Sequence, residues 1–398
     1  MQAVKPEQVG FSEARLARID GVLQNYIDTR TVAGIQAVVA RCGKIAYHKE
    51  FGFKDLEKDE ALQPDTLFRI YSMTKPITST AVLMLMEHGR LQLDDPVADY
   101  IPWFKDTQVF RGVTGRGMEL DKLERPISIR HLLTHRAGLS YGFDDNDYID
   151  RLYQKRLWRT VDKPPGLTLA QAVEITAGLP LRHQPGTAFH YSFATDVLGY
   201  LVEVISGQPF DRFLQTHIFD PLDMQDTCFC VPADKLERFC PVYGPDKKTG
   251  LKVVDSATTS DFTNPRRFPS GGGGLISTAR DYMRFAQMLL NQGELEGERL
   301  LGRKTVEAMT MNHLPNDGRL PDDPSRGFGL GVSVVREPAA FGRLSSPGAY
   351  GWSGAAGTHF WIDPVEQLIG LVMIQHMSPD ELRLAADFTN LIYQALVD

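Results

Sequence analysis

Strand-type sequence stands at both ends of this chain and helical sequence fills the middle, and that order limits the folds open to it. Near the start, Ile35 to Ala40 and Ile45 to Phe51 are short runs rich in β-branched and aromatic residues, joined across Cys42-Gly43-Lys44 as a hairpin. Near the end, Gly329 to Val335, Gly348 to Trp352, His359 to Ile362 and Leu368 to Gln375 read as strands, the last two divided by Asp363-Pro364. An isolated two-stranded ribbon is barely stable in water, so the two sets are predicted to meet in one antiparallel sheet flanked by helices, an α/β (α+β) architecture. Residues 1–89 and 311–398 then form the sheet domain and 90–310 a mostly helical inserted subdomain. The active site is expected in the cleft between them, because ligand sites favour such boundaries.

Helical spacing supports the middle of this scheme. Ser12 caps a helix carrying Leu16, Ile19, Leu23, Tyr26 and Ile27, and a second apolar helix runs from Ser72 to about Gly89. Leu91 to Ile101, with Asp94-Asp95-Pro96, reads as a turn into a short helix. Further helices are predicted at Ile129 to Thr134, Leu169 to Thr176, Thr195 to Ile205, Phe210 to Ile218 and Ala279 to Leu290. A last helix opens on the capping box Ser378-Pro379-Asp380-Glu381 and turns Leu382, Ala385, Phe388, Leu391, Ile392 and Leu396 toward a core.

A net charge of −7 without a long basic run argues against nucleic acid as a partner. The first residues lack the charged-then-apolar pattern of a secretory signal, and no apolar run is long enough to span a bilayer, so a cytoplasmic protein without membrane contact is expected. Cys42, Cys228, Cys230 and Cys240 form no Cys-x-x-Cys and have no matching His cluster, so no metal is called for and the thiols read as buried or idle. His131 and His135 stand four apart in a helix without His-Glu-x-x-His, which suits a structural role.

The chemistry points to Ser72-Met73-Thr74-Lys75. Residues three apart share a helix face, so Lys75 can bring its amine beside the Ser72 hydroxyl and take its proton during attack. Gly138-Leu139-Ser140-Tyr141-Gly142 competes as a Gly-x-Ser-x-Gly nucleophile elbow. That elbow needs a strand before the serine, whereas Ile129 to Thr134 is helical and Gly138 reads as its C-terminal cap. Gly271 to Gly274 lacks the Gly-Lys-Ser/Thr of a phosphate loop and reads as a tight loop beside the cleft.

Phe68-Arg69-Ile70-Tyr71-Ser72-Met73-Thr74-Lys75, Leu91-Gln92-Leu93-Asp94-Asp95-Pro96-Val97 and His131-Leu132-Leu133-Thr134-His135-Arg136-Ala137-Gly138-Leu139 together resemble the serine β-lactamase and penicillin-binding-protein superfamily. Pro221-Leu222-Asp223-Met224-Gln225-Asp226-Thr227 and Gly273-Gly274-Leu275-Ile276-Ser277-Thr278-Ala279-Arg280-Asp281 extend the likeness along nearly the whole chain. Within that superfamily the chain is most similar to the family VIII carboxylesterases, which implies a class C β-lactamase-like fold. The resemblance places the second motif, Tyr-x-Asn, at Tyr191-Ser192-Phe193, with Tyr191 as the third catalytic residue and Phe193 in place of the amide. It places the third, Lys-Thr-Gly, at Trp352-Ser353-Gly354, where Trp352 replaces a cation and adds an apolar wall. Phe193, Trp352, Ser353 and Gly354 are thereby expected to contact substrate. The backbone N–H groups of Ser72 and Ala355 are expected to form the oxyanion hole. Asp196 is read as a solvated or capping carboxylate.

The expected activity is hydrolysis of short to medium acyl esters through an acyl-enzyme on Ser72, with Lys75 and Tyr191 sharing the proton and no cofactor. Which of the two is the principal base stays open. Transacylation and weak β-lactamase activity are variants; the alternatives are a β-lactamase or D-alanyl peptidase, and a binding protein on the same scaffold. The partner is a small ester, and the oligomeric state is not legible.

Overall fold

The computed structural model describes residues 1–115, 117–161, 166–315, 318–378 and 382–398. Its main sheet has nine strands, and the two ends of the chain meet at its centre. Gly34–Arg41 pairs antiparallel with Lys44–Asp55 on one side and with Leu368–Met373 on the other, so that Val38 stands opposite His48 and Leu371. The sheet continues through His359–Asp363, Tyr350–Ser353, Ser333–Val335 and Arg326–Phe328, all antiparallel. At the other edge Gln2–Ala3 adds a parallel pair to Lys44–Asp55, and Glu60–Ala61 pairs with the latter's far end.

The two-residue period of a strand divides the core into two layers. Val38, Ala40, Ile369, Leu371 and Met373 face the larger core, with Ile77, Val82, Phe285 and Leu289. Ile35, Ala37, Val39, Leu368 and Val372 face a smaller core, closed by Ile19 and Leu23 of the Arg18–Asp28 helix and by Phe388 and Ile392 of the Leu384–Tyr393 helix. Covered on both faces, Gly34–Arg41 is buried at every residue. Such a strand reads as continuous apolar sequence.

The Thr74–Glu87 helix is buried all round its first three turns, between the sheet layer and the Ala194–Ser206 helix. Only a helix enclosed by protein can afford apolar residues on every side. The short turn Tyr71–Met73 leads into it, so Ser72 stands at the mouth and Lys75 inside.

Several predicted elements differ in detail. Gly329 to Val335 is broken: Arg326–Phe328 and Ser333–Val335 flank a turn in which Gly331 has φ +94° and a Cβ would lie 2.1 Å from Ser79 Oγ. The hairpins Gln108–Thr114 with Gly117–Lys122, Val242–Asp246 with Gly250–Asp255, and Glu294–Leu295 with Glu298–Arg299 interrupt the helical middle. Phe210–Leu214 runs on into a wider π-turn, Gln215–Phe219. The last helix begins at Leu384; residues 379–381 of the expected capping box lie outside the described residues. All four cysteines are free, and Cys42 is exposed rather than buried. No helix among the described residues is long and apolar enough to cross a membrane.

Candidate active site

Ser72, Lys75 and Tyr191 converge. The Tyr191 hydroxyl donates to Ser72 Oγ at 2.7 Å, and Lys75 Nζ approaches the same oxygen at 3.2 Å. Lys75 is completely buried, and its other two hydrogen bonds go to the Gly272 carbonyl at 2.7 Å and the Tyr141 hydroxyl at 3.3 Å. An amine with three donors has three acceptors here, so its position is fixed from three directions. Tyr71, just before Ser72, has φ +42°, a left-handed conformation that costs a side-chain-bearing residue free energy and recurs at functional sites. Its ring is held edge-on by Phe262 at 5.6 Å.

Behind this cluster lies a second one that sequence reasoning missed. Asp196 is fully buried in the first turn of the Ala194–Ser206 helix, not solvated as expected. It accepts from the Ser270 hydroxyl, from Gly272 N–H at 3.2 Å and from the Tyr141 hydroxyl at 3.4 Å. Burial raises its carboxyl above the usual range, against the pull of Ser270, the Lys75 charge and the Gly272 N–H. Burial and the Asp196 charge push the Tyr141 phenol well up, so it remains a donor to Asp196. Gly272 has to be glycine: a Cβ there would lie 2.4 Å from both Asp196 Oδ2 and Tyr141 OH. The glycine run therefore serves as the tight loop expected, and also delivers the carbonyl that holds Lys75.

The cleft has a volume of about 700 Å³ and is lined by Ser72, Ala355, Tyr71, Tyr141, Trp158 and Phe268, among others. Phe143, largely exposed, stacks on Tyr141 at 4.8 Å and forms an apolar lip. Ala355 lies past the end of Tyr350–Ser353, where Gly354 passes so close to Ile70 that a Cβ would meet its carbonyl oxygen at 2.5 Å. The Ala355 N–H makes no hydrogen bond among the described residues, which leaves a free donor in the cleft that holds Ser72.

Of the residues expected to touch substrate, Phe193 is placed behind the cleft surface, whereas Trp352 and Ser353 keep accessible surface. Phe193 is fully buried, packed edge-on behind Tyr141 and Trp158 at 6.1 and 5.7 Å, and shapes the cleft only through them. Trp352 is half-buried against Tyr191 at 5.7 Å and Phe328 at 5.2 Å, so it braces the phenol. Ser353 is exposed and bonds His359 Nδ1 at 2.7 Å. His135, beside the Tyr191 ring at 4.7 Å, is held neutral by burial and by the nearby Lys75 charge. The competing Ser140 is buried; it bonds Asp150 directly and His190 Nε2 at 3.0 Å, so the carboxylate contacts the serine instead of orienting the imidazole. Among the described residues no cluster of His, Cys, Asp and Glu could hold a metal ion.

Residues 19–394 match the beta-lactamase family model. Protein Rv1367c of Mycobacterium tuberculosis (strain ATCC 25618 / H37Rv) is 36% identical over 363 residues, covering 89% of this chain and 88% of its own. Esterase EstB of Burkholderia gladioli is 31% identical over 390 residues, covering 94% and 93%. Among solved structures, EstCE1, described as a hydrolase with promiscuous acyltransferase activity, superposes with a TM-score of 0.82 at 25% identity, covering 96% of this chain and 99% of that one.

Proposed function

The chain belongs to the beta-lactamase family, and we propose that within it the protein is a serine ester hydrolase that forms an acyl-enzyme on Ser72. The observation that carries this reading is the meeting of one hydroxyl with a phenol at 2.7 Å and an amine at 3.2 Å. Ser72 Oγ attacks the ester carbonyl carbon while its proton passes to the Tyr191–Lys75 pair, which takes it when one member is in its basic form, a phenolate at Tyr191 or a neutral amine at Lys75. The carbonyl oxygen, now negative, is held by the N–H groups of Ser72 and Ala355. The carbon–oxygen bond to the alcohol breaks, and the alcohol leaves with the proton. Water then attacks the acyl carbon, returns a proton through the same pair and releases the acid and Ser72. An alcohol in place of water gives transacylation, in keeping with the activity described for EstCE1.

A neutral Trp352 where lactamases place a lysine, and an apolar lip at Phe143, favour esters over β-lactams. The test compares 4-nitrophenyl butyrate with nitrocefin and follows Ser72 with a phosphonate probe by intact mass. Ester turnover well above lactam turnover, with a single adduct lost in Ser72→Ala, is expected. Full activity in Ser72→Ala, or faster nitrocefin hydrolysis, would defeat the proposal.

A further inference from the structure

One wall of the cleft carries a charge that the ester mechanism does not use. Arg267 follows a turn closed by its own N–H on the Asn264 carbonyl at 3.1 Å. Its guanidinium lies 3.9 Å over the Phe262 ring and donates to the Gly274 carbonyl at 3.2 Å. It belongs to the same short loop that supplies the Gly272 carbonyl to Lys75, and it lines the cleft together with Ser72. No carboxylate lies within 4.0 Å of it among the described residues. Arg69, Arg182 and Arg238 have carboxylate partners, whereas Arg267 shares the lack of one with Arg136 and Arg343 and is the one of those three that lines the cleft with Ser72. Arg266, exposed beside it, adds a second cation to the lining, and Asp261 is the one carboxylate there among the described residues. The cleft is thus locally positive in a protein of net charge −7.

We infer that Arg267 receives an anionic group of the substrate, so that the preferred esters carry a carboxylate away from the scissile bond. A guanidinium uses one of its five donors on Gly274, and the others remain for a planar two-oxygen partner. The Phe262 face holds the cation in place without neutralising it. The inference rests on the ester-hydrolase reading and adds the class of ester. It also relocates the charge recognition: the cation missing from the third motif at Trp352 is replaced by one on another loop of the cleft, at Arg267.

The experiment compares kcat/KM within two pairs of equal shape: monomethyl adipate against its terminal amide, methyl 6-amino-6-oxohexanoate, which places the carboxylate on the acyl side, and 4-acetoxybenzoate against 4-acetoxybenzamide, which places it on the leaving group. The protein should prefer the anionic member of at least one pair by about tenfold or more, as a charge-assisted pair in a partly desolvated site is worth that much. Arg267→Gln should bring the ratio toward one, Arg267→Lys should retain part of it, and added salt should reduce it. Equal or greater turnover of the neutral member in both pairs, or a ratio that survives Arg267→Gln, overturns the inference. Should Arg267→Gln fail to fold, the salt dependence decides: a ratio insensitive to salt overturns it. A protein that turns over only the neutral esters fails this inference alone, whereas one that turns over none and takes no phosphonate at Ser72 fails the ester reading itself.

Discussion

Replacing Tyr191 by phenylalanine deletes one oxygen and leaves the rest of the site in place, which makes it the sharpest perturbation available. The ring is held by His135 at 4.7 Å, Tyr141 at 5.5 Å and Trp352 at 5.7 Å, and a phenylalanine keeps all three contacts. What is lost is the 2.7 Å hydrogen bond to Ser72 Oγ, worth about 1 kcal/mol of stability. If that oxygen accepts the serine proton, its removal costs about 10²- to 10⁴-fold in rate, roughly 2.7–5.4 kcal/mol of activation free energy. The two quantities differ enough to be separated. Stopped-flow hydrolysis of 4-nitrophenyl butyrate gives acylation and deacylation rates, and a denaturant titration gives stability. Both rates should fall, because the pair handles the proton in each step, while stability changes by no more than about 1 kcal/mol. Acylation within fivefold of the unmodified protein would refute the assignment, and so would a loss of stability large enough to explain the loss of activity.

Gly272→Ala should lower activity at least tenfold and cost about 1–3 kcal/mol, since its Cβ would press on Asp196 and Tyr141 at 2.4 Å. Gly273→Ala, where the nearest atom is 3.7 Å away, should stay close to the unmodified protein, and equal effects in the two would count against this account. Asp196→Ala strands three donors and should cost about 2–4 kcal/mol by denaturant titration, whereas Asp196→Asn, which keeps an acceptor oxygen, should cost less than half as much. His359 is lowered by burial, and further by the charges of Arg343 and Arg326, to about 3. Between pH 6.5 and about 3 the unfolded chain therefore binds a proton that the native imidazole refuses, and stability falls as pH drops through that window. His359→Gln should make the decline between pH 7.5 and 5 shallower, and an unchanged slope would remove His359 from the explanation.

The sheet was readable because its central strands are apolar on both faces: Gly34–Arg41 and Leu368–Met373 are buried throughout, so their composition alone announces them. The hairpin strands Gln108–Thr114 and Gly117–Lys122 were not, because they bury almost nothing and show no apolar face to alternate. The candidate site divides in the same way. Ser72 and Lys75 are one helical turn apart, and local spacing brings such residues together whatever the rest of the chain does. Tyr191 lies 119 residues from Ser72 and was found only through the motif around it.

Tyr141, Asp196 and Gly272 had neither aid. They come from three separate segments, 55 residues apart in the one case and 76 in the other, and no periodicity relates them. A signal for each was nevertheless present. Asp196 is a carboxylate among Ala194, Thr195, Val197 and Leu198 at the start of an apolar helix, and a buried charge is retained only where partners meet it. Four successive glycines imply close approach by something bulky, here Thr195, Asp196 and Tyr141. Taken together, those two irregularities demand each other: the carboxylate needs donors that only a backbone free of side chains can bring near, and the glycines need a reason to be bare. The Lys75 amine sits where the two requirements meet, bonded to Gly272 and to the Tyr141 that Asp196 holds. The support of the amine is therefore built into the core of the helical layer, and changes there should reach Ser72 without touching any residue of the recognisable motifs.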